Sequence, residues 1–185
     1  MSERIRPEVA VQVGQRIRAL RTHADLTVVR LAERSGVSRR MLTEIEQGKA
    51  NPSLGTVDRI ASALGTTFAG LVELSGSPSP EGVAVWSTDR GSWGYLLKAT
   101  ETDSVSVELW KWRILAGDGY RTNVESAAAD SIVHVDLGTL AVGQPTRPFE
   151  VRAGESARVT SREPVVFGPA GEVVEFLWVV TVPRT

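Results

Sequence analysis

Residues Thr27–Phe68 read TVVRLAERSGVSRRMLTEIEQGKANPSLGTVDRIASALGTTF, and the punctuation of this stretch decides the fold of the first part of the chain. Three short amphipathic helices follow one another with connectors of about four residues. Val28, Leu31 and Ala32 repeat at helical spacing until Gly36 breaks the run. Ser38 offers an N-cap for the next helix, which is expected to bury Met41, Leu42 and Ile45 and to expose Arg39, Arg40, Thr43 and Glu44. Asn51-Pro52-Ser53 then opens a helix with Val57, Ile60, Ala61 and Leu64 on its apolar face, and Gly65 ends it. Upstream, Pro7 suits a first helical turn, and Val9, Val13, Ile17 and Leu20 carry a helix to about Thr22. Residues 1–6 are polar and expected to fray. Phe68 to Leu74 predicts a short fifth helix, enough for one small core.

A tight turn between two short helices, the second opening with paired arginines, suits insertion of a helix end into a DNA major groove. The stretch resembles the helix-turn-helix of the phage-repressor-like regulators, the XRE family. Leu31-Ala32-Glu33, Gly36-Val37-Ser38, Ile45-Glu46-Gln47-Gly48, Asn51-Pro52-Ser53 and Ile60-Ala61-Ser62-Ala63-Leu64 carry the resemblance, all in register. It implies that Arg39, Arg40, Thr43 and Glu44 read base edges, the arginines favouring guanine. Glu44 would either accept from cytosine or orient an arginine. Thr27, Ser38, Lys49 and Asn51 match phosphate-holding positions, which set register rather than sequence choice. Arg21 and Glu46 match a buried ion pair tying the first helix to the end of the recognition helix. Two positions depart from the pattern. Val28 stands where relatives often carry a polar residue that touches the DNA backbone, and Val29 adds an exposed-looking apolar side chain.

Charge is divided along the chain. Through Leu74 there are 11 Lys/Arg against 8 Asp/Glu, giving +3, and from Ser75 onward 10 against 14, giving −4. The first part can face phosphates while the second is repelled by them. The chain has no cysteine, which excludes a disulfide scaffold and thiolate zinc sites. No N-terminal segment resembles a signal peptide, and no run approaches the ~20 apolar residues of a membrane span, so a soluble cytoplasmic protein is expected.

Ser75-Gly76-Ser77-Pro78-Ser79-Pro80-Glu81-Gly82 reads as a linker. Beyond it the pattern changes to short β-branched and aromatic runs: Val83–Trp86, Tyr95–Leu97, Val105–Ile114, Ile132–Val135, Thr139–Val142, Phe149–Val151, Ala157–Val159 and Val173–Val182. Turn residues separate them at roughly eight- to twelve-residue intervals, the spacing of an all-β sandwich or barrel. This half resembles a small cupin barrel, with Gly117, Gly138 and Gly154 in register with the glycines of the family's two motifs. The family's metal ligands are absent: the histidine and glutamate slots fall on Asn123, Glu125, Ser131 and Val165, and the following Asn slot on Pro169. One carboxylate, an amide, a hydroxyl and a valine do not satisfy a divalent transition metal, so no metal and no other cofactor is expected.

The predicted class is therefore α + β in two domains. Residues 1–74 form a five-helix helix-turn-helix domain, 75–82 a linker, and 83–185 an all-β cupin-like barrel. His134 should lie on the outer strand face, opposite Ser131 and Val133, as a surface or interface residue. His23 should sit at the cationic end of the first helix. Trp110, Trp112 and Ile114 alternate on one strand face and Phe176, Trp178 and Val180 on another, as a barrel core or as a ligand cage. An effector site would draw apolar walls from Trp110, Trp112 and Trp178 and polar groups from Asn123, Glu125 and Ser131. Trp86, Trp93, Tyr95 and Arg121 would edge such a site.

The leading functional reading is a non-enzymatic, operator-binding transcription regulator, most often a repressor in such families. It would bind double-stranded DNA as a homodimer, with the barrel as dimerisation or effector module and no membrane partner. The rival from another class is a cupin-type metal enzyme with an appended DNA-binding head. It requires metal ligands or a general acid–base pair, and the sequence offers neither. A third reading is an antitoxin-like protein, which would be marked by a co-purifying partner.

Overall fold

The computed structural model describes residues 5–73, 82–102, 104–122, 130–144, 147–160 and 164–183. Five helices come first: α1 (Pro7–His23), α2 (Val28–Ser35), α3 (Arg39–Glu46), α4 (Leu54–Ala63) and α5 (Phe68–Glu73). The boundaries follow from capping chemistry. Thr27, Ser38 and Ser53 hold extended backbone, and each side-chain oxygen accepts the N–H three residues on, at 3.2 Å. Left-handed Gly36 stops α2. Left-handed Gly48 lets the Gly48 N–H reach the Ile45 carbonyl at 2.9 Å and the Lys49 N–H reach the Glu44 carbonyl at 2.8 Å, a Schellman closure of α3.

The periodic apolar residues of α1, α2, α3 and α4 meet in one core that includes Val13, Ile17, Leu31, Leu42, Ile45, Val57 and Ile60. Met41 departs from the expected pattern. It is 40% exposed, while Thr43 and Glu44 are half-buried. In a helix of eight residues the stripe Leu42, Ile45, Glu46 already fills the face towards the core, and Met41 falls about a quarter turn off it.

The body contains β1 (Val83–Ser87), β2 (Trp93–Glu101), β3 (Val105–Leu115), β4 (Tyr120–Arg121), β5 (Ser131–Gly143), β6 (Phe149–Arg152), β7 (Ser156–Val159) and β8 (Val166–Pro183). They form one antiparallel sheet in the order β1-β2-β3-β8-β5-β6, with β4 on β8 and β7 on β5. In place of the expected barrel, the described residues form one sheet that curls without closing. Two separately expected strands, Ile132–Val135 and Thr139–Val142, are one strand with register shifts around Asp136 and Gly138–Thr139. Bulges of this kind bend a strand rather than end it. Strand β8 bends as well. Phe167 and Phe176 belong to it, nine residues apart, yet their rings lie 5.6 Å from each other, whereas a straight strand would separate them by about 30 Å.

The head and body are packed together. Phe68 of α5 stacks on Trp110 of β3 with ring centroids 5.8 Å apart, and Thr67 donates to Glu101 of β2 at 3.0 Å. The segment expected to fray is ordered from Ile5, which is 1% exposed and bridges Trp86 of β1. The Ile5 N–H reaches the Pro52 carbonyl at 3.2 Å and the Arg6 N–H the Val85 carbonyl at 2.7 Å. Of the linker expectation, only Gly82 falls within the described residues. Because the seam is apolar and aromatic, head and body should unfold together. Phe68→Ala removes a buried ring, a change that typically costs about 3–5 kcal/mol. Calorimetry is expected to show one transition for the parent chain and two for this variant; an unchanged single transition would mean the seam does not couple them.

Candidate nucleic-acid interface

Helix α3 presents its first turns outward. Arg39 and Arg40 are exposed, and with Thr43, Glu44 and Val28 of α2 they line one shallow open cleft. Arg40 Nε donates to Glu44 Oε1 at 2.9 Å, one helical turn on. This hydrogen bond, aided by the carboxylate's charge, holds the Arg40 guanidinium above its ordinary value. Thr43 Oγ1 donates back to the Arg39 carbonyl at 2.8 Å. Of the phosphate-type candidates, Thr27 and Ser38 are exposed caps of α2 and α3 beside Val28 and Arg39 of the cleft, whereas Lys49 is exposed beyond the other end of α3, in a second hollow with Val11, Gln15 and Arg18. Asn51 is half-buried, with Oδ1 turned inward and unpartnered. The resemblance-derived set therefore falls on α3, its flanking loops and the cap of α2.

Residues 17–71 match the model of the helix-turn-helix family. The immunity repressor protein of Bacillus phage phi105 is 47% identical over 60 residues, covering 32% of this chain and 42% of that protein. The HTH-type transcriptional repressor RghR of Bacillus subtilis is 41% identical over 64 residues, covering 34% of this chain and 47% of that protein. The chain spans less than half the length of these curated relatives. An HTH_3-family transcriptional regulator from Vibrio cholerae shares the fold of head and body, with a TM-score of 0.76, 24% identity and coverage of 96% of this chain and 99% of that one.

In this helix-turn-helix unit the pose of α3 is set from α1. Gly14 lies against the Ile45 backbone so closely that any Cβ would collide with the Ile45 carbonyl oxygen. A mid-helix glycine costs about 0.5–1 kcal/mol relative to alanine, and the close helix approach is what it permits. Two turns further along α1, Arg21 grips Glu46 bidentately, Nε to Oε1 at 2.7 Å and Nη2 to Oε2 at 2.9 Å, and Nη1 donates to the Leu26 carbonyl at 2.9 Å. The Glu46 hydrogen bond raises the Arg21 pKa against the opposing effect of desolvation, so the guanidinium stays charged. Gly14 and Ile5 were missed in the sequence reading. The available signals were a glycine amid a strong helical period and a lone large aliphatic side chain in a polar tail.

The effector candidates are brought together only in part. Trp110, Trp178 and Val133 align across β3, β8 and β5, with Trp112 and Ser131 on the same buried face. Asn123 and Glu125 lie outside the described residues. Trp112 touches the rings of Trp86, Trp110, Tyr120, Phe176 and Trp178, so this face is packed by its own aromatics. Trp110 Nε1 donates to buried Glu108 at 2.9 Å and Ser131 Oγ to the Val159 carbonyl at 3.2 Å, whereas the buried indole nitrogens of Trp86, Trp112 and Trp178 have no hydrogen-bond partner. Trp93 and Tyr95 meet edge-on at 5.2 Å, and Arg121 is exposed on β4. His134 is half-exposed on the outer face, as expected, with Nδ1 2.8 Å from Ser156 Oγ, and His23 ends α1. Val165 is buried, and Pro169 lies within β8; among the described residues no three His, Asp or Glu side chains cluster.

The Arg21–Glu46 pair yields a stability prediction. Glu46→Ala strands a mostly buried guanidinium and should cost about 3–5 kcal/mol in urea unfolding, while replacing both partners by apolar residues of similar volume should cost much less. A loss below about 1 kcal/mol for Glu46→Ala would place the pair with solvent-screened surface bridges instead.

Proposed function

We propose that the protein is a sequence-specific DNA-binding transcriptional regulator, acting as a repressor on a two-fold operator as a homodimer. The observation that carries this reading is the outward side of α3, where Arg39, Arg40, Thr43 and Glu44 share one cleft, with the exposed caps Thr27 and Ser38 next in sequence to its lining residues and Lys49 exposed beyond the other end of the helix. Side chains of the first kind suit base edges, and those of the second suit phosphates. The positive balance of the head and the negative balance of the body favour the same docking direction. The likeness of the head to two repressors supports the sign of regulation.

Two heads are required on energetic grounds. A single small head gives too little discrimination against genomic competitor sites, and two heads on a palindrome roughly double the binding free energy. The body supplies exposed large apolar side chains at Ile132, Leu137 and Val166 for association of two copies. As an effector module the body would open this packed aromatic face to the ligand, and the buried indole N–H groups of Trp86, Trp112 and Trp178 favour a compact one with acceptor oxygens. Such a ligand would act on the head through Phe68–Trp110 and Ile5–Trp86, provided it binds the DNA-competent and incompetent forms unequally. A metal enzyme is disfavoured by donor chemistry, since Ser131 and Val165 occupy two of the ligand slots.

The test is selection of an operator from random duplex, followed by titration of variants. Arg39→Ala and Arg40→Ala should each lose about 1–3 kcal/mol and relax selectivity at one base position. Lys49→Ala should weaken all sequences alike and reduce the salt slope by about one. Wild-type affinity in both arginine variants would refute the groove assignment, and a monomer at micromolar concentration would refute the dimer.

A further inference from the structure

Val28 begins α2 yet lines the same cleft as Arg39, Arg40, Thr43 and Glu44. It is half-buried, so its methyl groups form part of the cleft wall. Thr43 adds a second apolar group to that wall. Its hydroxyl is committed to the Arg39 carbonyl at 2.8 Å, which leaves the γ-methyl as the part of the side chain available to a ligand. Beside these methyls stands Arg40, whose Nε is held by Glu44 at 2.9 Å. With Nε engaged, the two terminal nitrogens remain as a fork facing solvent.

These features define one composite reader. A two-pronged guanidinium end matches the O6 and N7 acceptors of guanine, and Glu44 acts as a positioning residue for it. Among the bases, only thymine presents an apolar group, its 5-methyl, in the major groove. We infer that each operator half-site places a thymine beside the guanine read by Arg40, with the thymine 5-methyl packed between Val28 and the Thr43 γ-methyl. This rests on the DNA-binding reading above and adds to it a residue outside the recognition helix that selects a base. Charge complementarity selects the occupant: an apolar wall flanked by two arginines suits a methylated base within a polyanion.

Uracil provides the test, because it differs from thymine only by the missing methyl. The selected operator is titrated with the full chain by fluorescence anisotropy, each half-site thymine being replaced in turn by uracil. One thymine per half-site is expected to be sensitive, its replacement weakening binding about fourfold, the effect of burying one methyl. Val28→Ala should reduce that thymine-over-uracil preference while leaving affinity for the uracil duplex nearly unchanged. Thr43→Ser, which removes only the γ-methyl, should reduce it likewise. A selected duplex in which no thymine responds to uracil would overturn this inference alone, as would full preference retained in both variants. Failure to select any duplex would overturn the DNA-binding reading and this one with it.

Discussion

The contact between α1 and α3 is the constraint on which the rest of the head depends. Without a side chain at Gly14, the α1 backbone can lie against the Ile45 carbonyl, and Arg21, two turns further along α1, then locks the helices through Glu46. Both contacts act on the C-terminal part of α3, which is buried, and leave its N-terminal part free. The same helix also faces the body, because Ile5 and Arg6, immediately before α1, hydrogen-bond to Pro52 and to Val85. Helix α1 therefore connects the recognition helix to the aromatic face of the sheet. Any displacement at Trp86 has a short, packed route to α3.

The body is built on a different principle. Its strands alternate strictly along β3, where Ser106, Glu108, Trp110, Trp112 and Ile114 are buried and the residues between them are only partly so. One face thus gathers large rings, and the bulges in β5 and β8 curl the sheet around them. Ion pairs brace the sheet as well. Arg113 meets Glu175 across β3 and β8 at 2.5 Å, and Arg158 meets Asp130 at 2.8 Å. Asp118 accepts from Thr88 and Ser92, both at 2.6 Å, tying the β1–β2 turn to the loop before β4. Helix α5 then seats Phe68 on Trp110, so the head completes the covering of this face.

The head was legible because its signals are local. Caps, left-handed glycines and a period near 3.6 set each helix end without reference to anything distant. The exposed placement of Arg39 and Arg40 was legible for the same reason, since they directly follow the Ser38 cap. What the sequence concealed was long-range. Nothing near Ile5 announces Trp86 as its neighbour, and the two-residue strand Tyr120–Arg121 is too short to carry a period. Gly138 looks like a strand end, but it pairs with Val174 and the strand pairs with β8 again at Leu140, beyond a register shift. Met41 illustrates the limit of counting apolar residues: in an eight-residue helix one residue at the margin can face either way, and packing of its neighbours decides. The resemblance to cupins implied an all-β body but not whether its sheet closes, since closure depends on pairing between residues far apart in the chain.

Methylation protection of guanine N7 on the selected operator tests the central claim most directly, because that atom lies in the major groove where α3 is placed. The account predicts two clusters of protected guanines, with centres about 10–10.5 base pairs or a small multiple of that apart, and loss of protection in each cluster when Arg40 is replaced by alanine. Tight, sequence-selective binding with every guanine N7 still reactive would contradict it.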